Sequence, residues 1–122
     1  MSMPTALLAD DDTELREMYE IWLEGWDDLT VRTATDGDEA LEKLDEAVDI
    51  AVLDRGMPGT SGDEVARRVD SSYPECRVLI VSAFQPDDKV DEHTYDQYLT
   101  KPVGKDDLVA TIESQLNVPR IE

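Results

Sequence analysis

The chain has 122 residues, with 11 basic against 30 acidic side chains, a formal charge of −19, 40% hydrophobic residues and 34% charged ones. One core of that size buries roughly two-thirds of the surface the unfolded chain exposes, so a single domain needs no metal or disulfide to fold, and the lone Cys76 permits no intrachain bridge. No apolar run approaches the roughly 20 residues that span a bilayer, Met1-Ser2-Met3-Pro4 lacks the regions of a signal peptide, and the acidic surplus opposes nucleic acid and anionic lipid, so a soluble cytoplasmic protein is expected.

Short apolar runs alternate with amphipathic stretches, which predicts an α/β fold with a parallel sheet covered by helices. Thr5 to Ala9 is a nearly continuous apolar strand that ends at Asp10-Asp11-Asp12. In the helix that follows, Leu15, Met18, Tyr19, Trp22, Leu23 and Trp26 recur at three-to-four spacing, with Gly25 near its end. Thr30 to Thr35 mixes in polar residues, as suits an edge strand. Asp36 with Glu39 has capping-box spacing and opens a second helix carrying Leu41, Leu44 and Val48. Asp49 to Asp54 reads as a strand buried on both faces, and Ser61 with Glu64 opens a third helix through Val65 and Val69. Arg77 to Ser82 is another buried strand. From Gln85 to Thr94 there is almost no apolar face, so a short helix or an irregular loop is expected. Asp96 to Thr100 is the fifth strand, Lys101-Pro102 follows, and the last helix carries Leu108, Val109, Ile112 and Leu116. Residues 118–122 read as a tail or the start of a linker.

In open parallel sheets, ligands bind beyond the carboxyl ends of the strands. Those ends carry Asp10, Asp11 and Asp12, then Asp54, Ser82 and Lys101. Singly, each has an ordinary reading, since Asp and Ser open helices and Lys is solvated. Jointly they do not, because two carboxylates about 4 Å apart repel by roughly 4 kcal/mol at an effective dielectric near 20. Clustered oxygens with no histidine or second cysteine nearby suit a hard divalent ion, Mg2+ above all, which keeps positions for water and phosphate oxygens. Lys101 is then a second positive charge for a phosphoryl group and Ser82 a hydroxyl for another of its oxygens. Asp54, on the central strand, is left as the nucleophile that becomes an aspartyl phosphate.

Taken in order, Leu8-Ala9-Asp10-Asp11-Asp12, Asp54-Arg55-Gly56-Met57-Pro58-Gly59, Val81-Ser82-Ala83 and Tyr98-Leu99-Thr100-Lys101-Pro102 resemble the receiver domains of two-component response regulators, over about residues 4–117. The resemblance implies a flavodoxin-like (βα)5 three-layer sandwich with its five parallel strands in the order 2-1-3-4-5. It also implies that Asp54 is phosphorylated and that Asp10, Asp11, Asp54 and the backbone carbonyl of Gly56 hold Mg2+. Lys101 then pairs with the phosphate, Ser82 and Tyr98 form the switch pair, and Asp12 is a helix start. Pro102 follows a cis peptide bond on this reading, against about 5% for X-Pro bonds in general. The implied partners are a sensor histidine kinase and an effector domain or downstream protein, with a phosphorylation-dependent homodimer as a further option. The domain is expected to catalyse only its own phosphotransfer and dephosphorylation.

Gly56 and Phe84 stand where receivers often carry polar side chains that tune hydrolysis, which predicts a long-lived phosphoaspartate. The main alternative, a receiver-like interaction module that is never phosphorylated, would be expected to have lost Asp54, Lys101 or one of the acidic pair. A dehalogenase-type phosphatase needs a second carboxylate where Gly56 stands, calcium loops begun at Asp10 or Asp36 lack glycine at the sixth position, and no phosphate-binding glycine loop is present. The excess of Asp (18) over Glu (12), with only four lysines, resembles proteins of salt-accumulating, haloarchaeal-type microbes. At ~1 M salt the Debye length is about 3 Å, which screens the self-repulsion of such a surface.

Overall fold

Side chains alternate across a strand, so a sheet covered on both faces must divide its apolar residues between two cores. The computed structural model, which describes residues 4–26, 28–87 and 91–116, shows that division. Five strands, β1 (Thr5–Ala9), β2 (Thr30–Ala34), β3 (Ile50–Leu53), β4 (Arg77–Ser82) and β5 (Gln97–Thr100), pair in parallel in the order β2-β1-β3-β4-β5. Helices α2 (Gly37–Lys43) and α3 (Gly62–Ser72) cover one face, while α1 (Thr13–Glu24) and α4 (Lys105–Leu116) cover the other. One register row, Ala34, Ala9, Leu53, Ile80 and Tyr98, crosses the whole sheet on the α2–α3 face. Leu8, Val52 and Leu79 form a row facing Tyr19, Leu23, Leu108 and Ile112 on the opposite face. Trp26, beyond the end of α1, is buried in that second core, and Trp22 packs against it.

The helix starts are those the sequence marks. Asp12, Asp36 and Ser61 accept the N–H groups of Leu15, Glu39 and Glu64 at 3.2, 2.7 and 3.2 Å, satisfying donors that a first turn leaves unpaired. Between β4 and β5 the (βα)5 pattern is departed from. Among the described residues this connector holds only a 3-10 turn, Glu92–Thr94, in place of a helix. With no apolar stripe to bury, a helix there would lack the packing that stabilises short helices. The turn is held by polar contacts instead: Asp91 accepts the His93 N–H at 2.9 Å, and Thr94 Oγ1 donates to the Asp91 carbonyl at 2.6 Å. Residues 118–122 lie outside the described residues. No helix among the described residues is long and apolar enough to cross a membrane.

Candidate functional site

The strand ends place the acidic residues. Asp10 follows β1, its backbone N–H donating to Ala34 at 3.2 Å, and Asp54 follows β3, donating to Ala9 at 3.0 Å. The first turn of α3 presses on the backbone beneath Asp54, because a Cβ on Gly62 would run into the Asp54 carbonyl oxygen. From β5, Lys101 donates its backbone N–H to the Ser82 carbonyl at 2.8 Å and extends its ammonium to Asp10 Oδ2 at 2.9 Å and Asp54 Oδ2 at 3.4 Å. Carboxylate oxygens of Asp10, Asp11 and Asp54 all lie within 4.8 Å of one another. Asp10 and Asp54 are buried and Asp11 is exposed, so the cluster opens to solvent on the side of Asp11.

Three carboxylates face one ammonium, which leaves a surplus of two negative charges if all are ionised. Burial raises the Asp54 pKa above the ordinary carboxylate value, and the charge of Asp10 adds to this against the opposing pull of Lys101 and the Gly56 N–H. Burial works the other way on Lys101, but its hydrogen bond to Asp10 and the charges of Asp54 and Asp10 outweigh it, so the ammonium is held more firmly than in water. An all-oxygen donor set with surplus negative charge and an open side fits a hard divalent cation.

The remaining predicted residues take distinct places. Ser82 is fully buried at the end of β4, where its Oγ accepts the Phe84 N–H at 3.2 Å. Tyr98 packs its ring against the α2–α3 core and donates its hydroxyl to the Phe84 carbonyl at 2.6 Å. Gly56 sits in the turn after β3, its N–H 3.4 Å from Asp54 Oδ1. The Lys101–Pro102 peptide bond is cis. Asp12 caps α1, His93 is exposed, and Cys76 is a buried thiol whose pKa burial pushes up to about 12.

Arg55 is the residue the sequence did not single out. It is buried, and its guanidinium binds Asp63, Gln85, Asp87 and Tyr98. Nothing local marks it, since an arginine beside an aspartate reads as a solvated charge.

Residues 6–113 match the response regulator receiver domain family, and the chain belongs to it. It is 39% identical over 110 residues to a putative transcriptional regulator of Haloferax volcanii, covering 90% of this chain and 19% of that protein. With the regulatory protein VanR of Enterococcus faecium it shares 30% identity over 113 residues, 90% of this chain and 48% of VanR. The chain thus spans less than half the length of either relative. Among solved structures, the response regulator TrrA of Thermotoga maritima in complex with Mg2+ and BeF superposes with a TM-score of 0.81 at 26% identity, covering 93% of this chain and 99% of that one. The protein is a signalling receiver domain with the flavodoxin-like strand order.

Proposed function

We propose that Asp54 is the phosphoacceptor of this receiver, charged by a sensor histidine kinase in a Mg2+-dependent reaction and read by an effector domain or downstream protein. The observation that carries this reading is the convergence of Asp10, Asp11 and Asp54 within 4.8 Å, with the Lys101 ammonium 2.9 and 3.4 Å from two of them. Asp10, Asp11 and Asp54, with the Gly56 carbonyl, would hold the metal, which when bound supplies positive charge to the phosphoryl oxygens. A carboxylate oxygen of Asp54 attacks the phosphorus of a phosphohistidine protonated on its other ring nitrogen, the P–O bond forms as the P–N bond breaks, and the leaving group departs as neutral imidazole, keeping that proton and taking the P–N electron pair. Lys101 neutralises charge on an equatorial oxygen, a contribution of position and electrostatics rather than covalent chemistry.

The phosphoryl group carries about two negative charges, a net gain of about one over the carboxylate it esterifies, and Ser82 and Tyr98 act as the switch pair that reads it. Phosphate loss is slow on this reading. Gly56 offers no side chain to a hydrolytic water, and the Phe84 ring lies 3.6 Å from where a Cβ on Gly56 would stand. The acidic composition and the Haloferax volcanii relative support a brine-adapted, cytoplasmic protein.

Acetyl phosphate with Mg2+ tests the reading by intact-mass measurement. Single phosphorylation is expected for the wild type and none for Asp54→Asn. Unchanged phosphorylation of Asp54→Asn, or none in the wild type, would overturn it.

A further inference from the structure

Among the described residues Arg55 is the least exposed basic side chain, in a protein with few cations. A guanidinium carries five N–H donors in a rigid plane, and burying them is tolerated only when each finds an acceptor. All five are engaged. Nε and Nη2 form a fork to Asp63 Oδ1 and Oδ2 at 2.9 and 3.2 Å, and Nη2 also reaches Asp87 Oδ1 at 3.0 Å. Nη1 donates to the Gln85 carbonyl at 3.3 Å and to the Tyr98 hydroxyl at 3.2 Å. The acceptors come from α3, the connector after β4, and β5, between 8 and 43 residues away along the chain. None of these bonds goes to the Asp10–Asp11–Asp54 cluster.

The anchor of this arrangement is held twice. The Arg55 carbonyl accepts the Gly62 N–H at 3.2 Å, so backbone and side chain both grip the first turn of α3. The fork to Asp63 holds the guanidinium's charge even more firmly than usual. Tyr98 is the member that β5 contributes. Its hydroxyl accepts from Arg55 while donating to Phe84, and its ring stands edge-on to Tyr95 with centroids 5.5 Å apart.

We infer that Arg55 is a positioning residue of the switch: anchored on Asp63, its guanidinium holds the Tyr98 hydroxyl against the Phe84 carbonyl and ties both to the residue next to Asp54. The ring's place is thereby set by an ionic clamp rather than by packing alone. A change at Asp54 reaches the connector through the Arg55 bonds to the Gln85 carbonyl and Asp87, and this coupling rests on the phosphoacceptor reading, whereas the clamp itself does not. Lysine at position 55 would keep a positive charge for Asp63 but has no planar fork with which to reach Tyr98 as well.

The test reads tyrosine ring signals by NMR in the full chain with ring-labelled tyrosine, Tyr98 being identified by its loss in Tyr98→Phe. In Arg55→Lys and Arg55→Met the Tyr98 signal is expected to shift and broaden while those of Tyr19 and Tyr73 stay in place. An unmoved Tyr98 signal in Arg55→Lys overturns the clamp. Should Arg55→Met not fold, the Arg55 Nε–H signal in Tyr98→Phe serves instead: a shift supports the clamp and constancy overturns it.

Beryllofluoride with Mg2+ then tests the coupling. Arg55→Lys is expected to retain the bound-fluoride signal of the wild type but to lose at least half of the wild-type amide shift at Gln85. An undiminished shift overturns the coupling. Absence of bound fluoride from the wild type overturns the phosphoacceptor reading and the coupling with it, and the ring signals still decide the clamp.

Discussion

At the end of the sheet where strands begin, Asp49 and Asp96 stand just before β3 and β5. Each accepts a neighbouring strand's N–H at 2.8 Å, from Thr5 and Val78 respectively, and returns its own N–H to the carbonyl of the same residue. At the end where strands finish, Asp10 and Asp54 face Asp11 and one another across a single ammonium. The same side chain thus completes backbone pairing at one end and accumulates charge at the other. Stability and the proposed function are separated along the strand direction, and the charged end is held in place by what surrounds it.

The largest effect should come from loosening that surround. Gly62→Val forces a side chain into the Asp54 carbonyl and should lower unfolding free energy by about 3 kcal/mol. Gly104→Ala, where a Cβ meets nothing within 4 Å, should stay within about 0.5 kcal/mol, both measured by urea denaturation. Mg2+ at a hundredfold excess over its Kd should stabilise the wild type by roughly 2.7 kcal/mol in thermal melts, and Asp54→Asn by much less. An equal rise in both would remove the metal from this cluster.

The two ends should then respond with opposite signs. Asp49→Ala deprives Thr5 of its acceptor and should destabilise by about 1–2 kcal/mol. Asp54→Asn, without divalent metal at neutral pH, should raise Tm by a few degrees, about 1 kcal/mol at this length. The sign follows from linkage. Burial, then Asp10, raises the folded pKa of Asp54, so between its unfolded value and that raised value the folded state holds the extra proton. Stability from this group therefore falls as pH rises through the window, and the gain of Asp54→Asn should be present above it and vanish below the unfolded value. A gain independent of pH would break the comparison. The smallest and most diffuse effect is that of salt: Tm should climb from dilute to molar KCl as surface repulsion is screened, and a flat curve would argue against brine adaptation.

Features encoded over a few residues were legible in the sequence. The apolar runs of β1, β3 and β4 lie where they read, and Asp36 and Ser61 cap the helices their spacing announced. Asp10, Asp11, Asp54 and Lys101 could be proposed as neighbours because strand ends share a rim, whereas the order of the strands came from the resemblance alone. The connector after β4 was legible only as a lack of helix signal. Arg55 was not legible at all, since its acceptors Gln85, Asp87 and Tyr98 are 30, 32 and 43 residues away and become neighbours only when β3, β4 and β5 lie side by side.

The Lys101–Asp10 bond joins positions 91 residues apart in a chain of 122, and Lys101–Asp54 spans 47 of the same residues. Contacts of such sequence separation are slow to form, because loop-closure entropy must be overcome before they are rewarded. A nascent polypeptide still lacking its fifth strand has both acids of the bond network but no lysine between them. With Lys101 in the role proposed for it, competence to be phosphorylated comes only once the fifth strand has joined the sheet.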